Sequence, residues 1–200
     1  LNQRRAQDVD SKYPDILLSL SEPELKAIGN KYIEDAKIFR TGKPYFIDKM
    51  PNNFRHIGLI KLILPNAKII DIRRSSMSAC FSSYKQLFAE GQDFTYDLKD
   101  LATYYNNYVE LMDHWNTVLP GDILSVNYED LINDFEPSVN RILDYCNLPF
   151  EQACLEFYKS KRSVKTPSAE QVRQPIYKSG LDYWKNYEPY LKDLQSNLKY

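Results

Sequence analysis

The chain has 200 residues, of which 43% are hydrophobic and 14% aromatic, and its formal net charge is −1. These values predict one folded domain over residues 1–200 and exclude a disordered chain. The balanced charge gives no overall attraction to nucleic acid, and no apolar run approaches the ~20 residues that a membrane helix needs. We therefore expect a protein whose partners include neither nucleic acid nor a membrane.

The cysteines and the first residues of the chain indicate the cellular compartment in which the protein is expected. Cys80, Cys146 and Cys154 are odd in number and show no metal-ligand spacing, which favours free thiols and no metal. The charged first residues are not followed by an apolar stretch, so they do not resemble a signal peptide. Free thiols are usual where proteins are kept reduced, and we expect a cytoplasmic protein.

The first third of the chain predicts a helix, a strand and a second helix. Residues 19–39 begin with Ser21-x-x-Glu24, a capping-box pattern, and continue with apolar residues at helical spacing. Residues 44–49 form a strand candidate after the Gly42 turn. Residues 52–64 have helical character, and Pro65 ends that helix.

Strand and helix candidates alternate through the next hundred residues. Residues 67–72 form a strand whose Ile69–Ile70 pair predicts burial on both faces. A polar, basic segment with two prolines follows over residues 160–180, and long loops of this kind are often functional. The alternation predicts an α/β protein with a parallel sheet and right-handed crossovers. The further candidates are a helix over 75–88, a helix over 98–119, a strand over 122–128, and a helix over 129–148 that Pro137 divides in two.

The end of the 67–72 strand carries a candidate anion site. Arg74 follows the strand, and serines begin the next helix, whose N-terminal amides and dipole favour negative charge. Ser82 lies two turns along that helix, and an arginine fork matches phosphate oxygens. Lys49 and Tyr128 end the other two strand candidates, on the crevice side of a parallel sheet. A capped helix with solvated arginines remains the alternative, and Arg73 is expected to lie off the site or only to flank it.

The motifs together resemble the sulfotransferases that use 3′-phosphoadenylyl sulfate (PAPS). The matching features are Lys49-x-Pro51, Pro65-Asn66-Ala67-Lys68, and Arg74 with Ser82 eight residues on. VNYEDLINDF (126–135) resembles a later segment of the family, and TPSAEQVRQPIYKSGLDYWKNYEPYL (166–191) resembles its C-terminal block. The likeness is nearest to bacterial sulfotransferases fused to tetratricopeptide repeats and to tyrosylprotein sulfotransferases.

The resemblance implies a function and a set of site residues. The chain would transfer a sulfuryl group from PAPS to a hydroxyl acceptor, which is a peptide tyrosine, a glycan or a small alcohol. Arg74 and Ser82 would bind the nucleotide 3′-phosphate, and Tyr128 would contact the nucleotide. Lys49 would lie near the sulfuryl group as a catalytic positive charge. Ser168 and Arg173, in the 160–180 loop, would close over the phosphates of PAPS or of its product, adenosine 3′,5′-bisphosphate (PAP).

One family motif is missing from the sequence. The Pro-Arg/Lys-Ser-Gly-Thr-Thr loop that cradles the 5′-phosphosulfate is not formed by any of the six glycines. The resemblance implies a three-layer, P-loop-like sulfotransferase fold that is incomplete at its N-terminal strand. The loop and the catalytic base are then expected in an upstream segment of the same protein. The missing strand is expected from that segment, from another chain or from a different pairing, and the chain alone is expected to be inactive.

Two other classes of function compete with this interpretation. A non-catalytic nucleotide-binding or scaffold module on the same fold would bind adenosine 3′,5′-bisphosphate without turnover. A nucleotide or nucleoside kinase would need a P-loop, and the sequence contains none.

Overall fold

The computed structural model describes residues 13–88, 91–160, 170–178 and 180–200. The single domain expected from the length divides into two compact units, Leu1–Ala67 and Lys68–Tyr200. Among the described residues, no helix combines the length and the apolar character that crossing a bilayer requires.

The first unit contains two α-helices, α1 (Glu22–Ala36) and α2 (Ile57–Ile63). The predicted capping box at the start of α1 is confirmed: the Ser21 backbone N–H donates to Glu24 Oε2 at 2.8 Å. The hydroxyl of Ser21 donates to the same oxygen at 2.6 Å, and this hydrogen bond lowers the pKa of Glu24. The helix predicted over 52–64 begins as a 3-10 helix, Pro51–His56, before continuing as α2.

Gly29 allows the backbones of α1 and α2 to meet. It is the buried residue of α1, and a Cβ atom at this position would lie 2.0 Å from the carbonyl oxygen of Ile63. Because that neighbour is backbone, it cannot turn aside as a side chain would. The close approach of the two helices therefore requires glycine at this position.

The strand predicted over residues 44–49 is wrong. This segment has no regular secondary structure, and the side chains of Tyr45 and Ile47 are 67% and 91% exposed. A strand exists through its ladder of hydrogen bonds, and this segment has no ladder partner among the described residues. Its contacts include a hydrogen bond from the Tyr32 hydroxyl to Asp48 Oδ2 at 2.5 Å and one from Arg40 Nη2 to the Pro44 carbonyl at 3.3 Å. The Tyr32 and Phe46 rings lie 6.5 Å apart, centre to centre.

The second unit contains the sheet. The predicted strands are confirmed as β1 (Ile69–Arg73) and β2 (Ile123–Asn127), which pair in parallel from Ile69 opposite Ile123 to Arg73 opposite Asn127. The connection between them carries α3 (Ser76–Tyr84) and α4 (Leu98–Val118), so it is a helical crossover. The α/β class is therefore observed, while the three-layer sheet stays a prediction.

The expected burial of β1 on both faces is wrong. Ile70 and Ile72 are 37% and 54% exposed, although they lie in a strand of alternating faces. The opposite face carries Asp71 and Arg73, whose side chains bond to Tyr108 of α4. Helix α4 thus covers the face of β1 that carries Asp71 and Arg73, and Ile70 and Ile72 on the other face stay partly exposed to solvent.

The helix predicted over 129–148 is divided as expected. It forms α5 (Tyr128–Asn133) and α6 (Phe135–Cys146), with the break at Asp134. Pro137 lies in the first turn of α6, where its missing N–H would have no partner within that helix. Asn147 ends α6 in the left-handed conformation at φ 54°.

The core of the second unit joins α3 and α4 to the C-terminal α7 (Lys192–Asn197). The buried Asn106 of α4 holds the end of α7: its Nδ2 donates to the Asn197 carbonyl at 2.8 Å, and its Oδ1 accepts from the Lys199 backbone N–H at 3.0 Å. Within the described chain all three cysteines are free thiols, as expected. The buried core residues are Cys80, Phe81, Leu101, Ala102, Leu191 and Leu194.

Candidate functional site

A cleft of about 270 Å³ opens beside the carboxyl end of the sheet in the second unit. The register of the strands explains its position, because Arg73 pairs with Asn127 and the next residues, Arg74 and Tyr128, leave the two strands side by side. Helix α3 and the segment before α7 supply the remaining walls. The lining residues are Arg74, Ser78, Phe81, Ser82, Lys85, Tyr128, Ile132, Tyr177, Gly180, Leu181, Tyr183 and Trp184.

Arg74 is held from several sides. Its Nη2 donates to the Gly180 carbonyl at 3.0 Å, and its guanidinium carbon lies 5.1 Å from the centre of the Tyr128 ring. Its own backbone carbonyl accepts a hydrogen bond from the Tyr105 hydroxyl at 2.9 Å. Its Nε is buried and has no hydrogen-bond partner among the described residues. A buried donor left in this state costs roughly 1–3 kcal/mol.

Ser82 and Tyr128 meet Arg74 at this cleft. Ser82 lies on α3, and its hydroxyl makes no hydrogen bond within the part of the chain that the structure describes. Tyr128 is the first residue of α5, directly after β2. The structure therefore brings together three of the residues that the sequence singled out.

The N-terminus of α3 is partly occupied by the chain itself. The backbone N–H of Ser75, the N-cap residue, donates to Glu129 Oε1 at 2.9 Å. The expectation that this helix end presents free amides to a ligand is therefore wrong for Ser75, because a carboxylate of α5 already fills that position. The cationic side chains, rather than this amide, carry the positive charge of the cleft.

Arg73 is committed to a different set of contacts. Its Nε donates to the Tyr108 hydroxyl at 3.2 Å, and its Nη2 lies 3.4 Å from Asp71 Oδ2. The same hydroxyl donates to Asp71 Oδ1 at 2.6 Å. Burial and the bond to Asp71 raise the pKa of Tyr108. We call Asp71, Arg73 and Tyr108 the Arg73 network; none of the three lines the cleft.

Comparison with known proteins identifies the family. The model of the family described as "Sulfotransferase family" matches residues 2–152. The chain belongs to the sulfotransferase family. It is also 36% identical, over 183 residues, to an uncharacterized protein of Aquifex aeolicus (strain VF5); the alignment covers 90% of this chain and 24% of that protein. The chain thus spans about a quarter of the length of this relative.

A solved structure supports the sulfotransferase fold. The sulfotransferase domain from the curacin biosynthetic pathway superposes with a TM-score of 0.59 at 19% identity. The superposition covers 85% of this chain and 66% of that one. At this identity the likeness shows the fold alone.

Among the described residues, neither Lys49 nor Arg173 lines the cleft. Lys49 belongs to the first unit and is exposed. Ser168 lies outside the described residues. Arg173 ends a short 3-10 helix, Gln171–Arg173, is exposed, and donates from Nη1 to the Ser160 carbonyl. Arg173 is not among the residues that line the cleft. The roles of these three residues stay predictions.

Sequence reasoning missed the aromatic wall of the cleft. Tyr177, Tyr183 and Trp184 line it, and Phe81 packs 5.0 Å, centre to centre, from Tyr187 of the same C-terminal segment. The buried Ser78 fastens this segment, because its hydroxyl donates to the Leu181 carbonyl at 2.5 Å. The sequence does contain a sign of this wall, because residues 177–187 are rich in aromatic residues. That segment resembles the C-terminal block of the family, but its sequence does not indicate which rings face α3.

The lining groups suit an organic anion. Arginine, lysine and hydroxyl groups supply donors, and the aromatic rings supply flat apolar surface for a planar group such as a base. Among the described residues, no group of three or more His, Cys, Asp or Glu side chains is arranged to hold a metal ion. The chemistry of the cleft is therefore recognition of negative charge next to an aromatic surface.

Proposed function

We propose that this chain provides the 3′-phosphate-binding part of a sulfotransferase site that uses PAPS as the sulfuryl donor. The observation that carries the proposal is the meeting of Arg74, Ser82 and Tyr128 at one cleft, with a buried Arg74 Nε that has no partner in the described chain. The family identity supports the reaction class. The aromatic wall supports a nucleotide rather than a simple inorganic anion.

Each residue has a role that fits its chemistry. Arg74 and Ser82 hold the 3′-phosphate by a charge-assisted hydrogen bond and a hydroxyl donor. Tyr128 contacts the nucleotide and keeps the Arg74 guanidinium in place. Ser168 and Arg173 close over the phosphates, a role that rests on their place in the family motif. When bound, PAPS supplies the activated sulfuryl group and a phosphate leaving group.

Lys49 is proposed to lie near the reacting centre. Sulfuryl transfer spreads negative charge over the moving group and the leaving phosphate, so a fixed positive charge favours the transition state. Positioning of donor and acceptor provides much of the remaining rate enhancement. The acceptor is a hydroxyl of a peptide tyrosine, a glycan or a small alcohol.

The 200-residue sequence contains no loop for the 5′-phosphosulfate. We therefore propose that this loop and the catalytic base come from an upstream segment of the same protein. In the bacterial enzymes that the motifs resemble, the upstream segment also contains tetratricopeptide repeats. The 200-residue chain alone is expected to show no turnover in a radiolabelled sulfate transfer assay with PAPS. Turnover by this chain would contradict the proposal that the site is divided.

The same missing motif favours one alternative, a non-catalytic nucleotide-binding module. Both proposals expect binding of adenosine 3′,5′-bisphosphate, and they differ when the upstream segment is restored. A restored protein that still fails to transfer sulfate to tyrosine peptides, glycans and small alcohols would favour the binding module.

Calorimetric titration with adenosine 3′,5′-bisphosphate tests the site. Arg74→Ala removes a charge-assisted contact and should weaken binding by roughly 1.5–3 kcal/mol, or about 10–100-fold. Arg55→Ala, an exposed arginine of the first unit, serves as the control and should bind as wild type. Equal affinity of wild type and Arg74→Ala would remove Arg74 from the site, and no binding by wild type would overturn the proposal.

A further inference from the structure

One peptide unit beside the cleft is held from both sides. The carbonyl oxygen of Arg74 accepts a hydrogen bond from the Tyr105 hydroxyl of α4 at 2.9 Å. The N–H of the same peptide unit, which belongs to Ser75, donates to Glu129 Oε1 of α5 at 2.9 Å. The C=O and N–H of a trans peptide point in opposite directions, so the two partners lie on opposite sides of the chain. We call these two hydrogen bonds the peptide clamp.

The carboxylate of the clamp comes from a different helix, although a helix can supply its own. In the capping box of α1, Glu24 at the third helical position accepts from the N–H of the N-cap residue, Ser21. The corresponding position of α3 is Ser78, whose hydroxyl instead donates to the C-terminal segment. The side chain of the N-cap residue, Ser75, makes no capping hydrogen bond. Glu129 therefore satisfies the start of α3 and at the same time ties it to α5.

This tie joins the two turns that carry cleft residues. Ser75 directly follows Arg74, and Glu129 directly follows Tyr128. The ring centre of Tyr128 lies 5.1 Å from the guanidinium carbon of Arg74. The paired register of β1 and β2 ends one residue before each turn, so the bond from Ser75 to Glu129 continues the connection beyond the ladder.

The clamp also opposes rotation of the peptide. A half-turn of the peptide plane would bring the Arg74 carbonyl oxygen against the Glu129 carboxylate, where two acceptors would face each other with no proton between them. It would also break the charge-assisted hydrogen bond of the Ser75 N–H, which is stronger than a neutral one. Because the allowed rotamers of a side chain depend on its backbone angles, fixing this peptide limits the directions that the Arg74 side chain can take.

We propose that Glu129 and Tyr105 are positioning residues of the cleft, which hold the Arg74–Ser75 peptide so that the Arg74 guanidinium is directed at an anion before the anion binds. This inference rests on the proposed function of the cleft. Neither Glu129 nor Tyr105 is among the residues that line the cleft, so each acts through Arg74.

The competing explanation is that Glu129 only complements the positive end of the α3 dipole. Under that explanation, Glu129→Ala and Glu129→Gln would both lower the stability of the chain. Both would leave nucleotide binding unchanged or tighter, because each removes a negative charge near an anion. The hydrogen bond and the charge of Glu129 therefore predict opposite effects on affinity.

The test is calorimetric titration of the 200-residue chain with adenosine 3′,5′-bisphosphate. Glu129→Ala removes the acceptor and should weaken binding about fivefold, and Tyr105→Phe removes the opposite donor and should weaken it about threefold. Glu129→Gln keeps an acceptor oxygen without the charge and should bind within about twofold of wild type. Asp130→Ala removes the exposed carboxylate next to Glu129, outside the clamp, and is the matched control that should bind as wild type.

A double-mutant cycle shows whether the effect passes through Arg74. In the Arg74→Ala background, Glu129→Ala should change the affinity by less than about 1.5-fold, because the group that Glu129 positions is then absent. A role of Glu129 in stability alone would not produce this dependence on Arg74.

The outcomes separate this inference from the function on which it rests. Wild-type or tighter binding by Glu129→Ala would overturn the inference and leave the proposed function standing. Equal weakening in Glu129→Ala and Glu129→Gln, or an undiminished loss in the Arg74→Ala background, would overturn it as well. If Glu129→Ala does not fold, wild-type affinity in Tyr105→Phe would overturn it. Failure of the wild-type chain to bind the bisphosphate would overturn the proposed function, and this inference with it.

Discussion

Arg73 and Arg74 are adjacent in the sequence and follow one another at the end of β1, yet they lie in different surroundings. In the Arg73 network, a carboxylate and a tyrosine hydroxyl accept the hydrogen bonds of the guanidinium. In the cleft, Arg74 has a backbone carbonyl, a ring and a buried Nε with no partner in the described chain. An arginine whose charge is already compensated contributes to stability, whereas one without a carboxylate partner is suited to bind a ligand.

The alternation of the strand explains how this difference arises. Side chains of successive residues point to opposite faces, so Asp71 and Arg73 share the face toward α4 while Arg74 begins the turn into α3. Tyr105 and Tyr108 lie one turn apart on α4, with their rings 5.7 Å apart in edge-to-face contact. The Tyr105 hydroxyl bonds to the Arg74 backbone, and the Tyr108 hydroxyl bonds to Asp71 and Arg73. The comparison can be tested by changing one region and measuring the other.

The largest expected effect is on stability, in the Arg73 network. Asp71→Ala removes the acceptor of both Tyr108 and Arg73, and we expect a loss of about 3 kcal/mol in the free energy of unfolding. Urea unfolding followed by fluorescence measures it. Asp113→Ala, at an exposed position of α4, is the control. A loss below about 0.5 kcal/mol would show that the network contributes little to stability.

A smaller effect is expected where the C-terminal segment meets α3. Ser78→Ala leaves the Leu181 carbonyl without its buried donor and should cost about 1.5 kcal/mol of unfolding free energy. Because Leu181 neighbours the Gly180 carbonyl that holds Arg74, the same variant should also weaken binding of adenosine 3′,5′-bisphosphate. Ser83→Ala, on the same helix, is the comparison variant. Wild-type affinity in Ser78→Ala would show that this anchor does not position Arg74.

A further expected effect is a dependence of stability on alkaline pH. Burial raises the pKa of Tyr105 to about 12, above the value near 10 of an unfolded chain. The neutral phenol therefore stabilises the fold fully below about pH 10, and this contribution is lost as the pH rises from about 10 to 12. Tyr105→Phe should show a shallower loss of stability over this range in urea unfolding series. If the stability of wild type and of Tyr105→Phe fell equally between about pH 10 and about pH 12, the raised pKa of Tyr105 would be contradicted.

Local patterns in the sequence predicted features of both units. The capping box of α1, the two paired strands and the division before Pro137 follow from short-range rules, and the structure has them. The Arg74–Ser82 spacing and the ends of the two strands also located three residues that line the cleft. These features depend on periodicity and on turn chemistry, which a single sequence contains.

Features that depend on distant partners were not predictable in the same way. Residues 44–49 have the composition of a strand but no described ladder partner, and the sequence of a segment does not name its neighbour. The carboxylate of Glu129 at the start of α3 and the rings of Tyr177 and Tyr183 in the cleft come from segments far along the chain. Their placement follows from tertiary packing, which local patterns do not specify.

The central claim is that Arg74, and not Arg73, binds the anion, and one measurement tests it directly. Arg74→Lys and Arg73→Lys each keep the charge and remove the guanidinium fork. Titration with adenosine 3′,5′-bisphosphate should give affinity at least about tenfold weaker for Arg74→Lys and near wild type for Arg73→Lys. The reverse order, or equal weakening in both variants, would contradict the account.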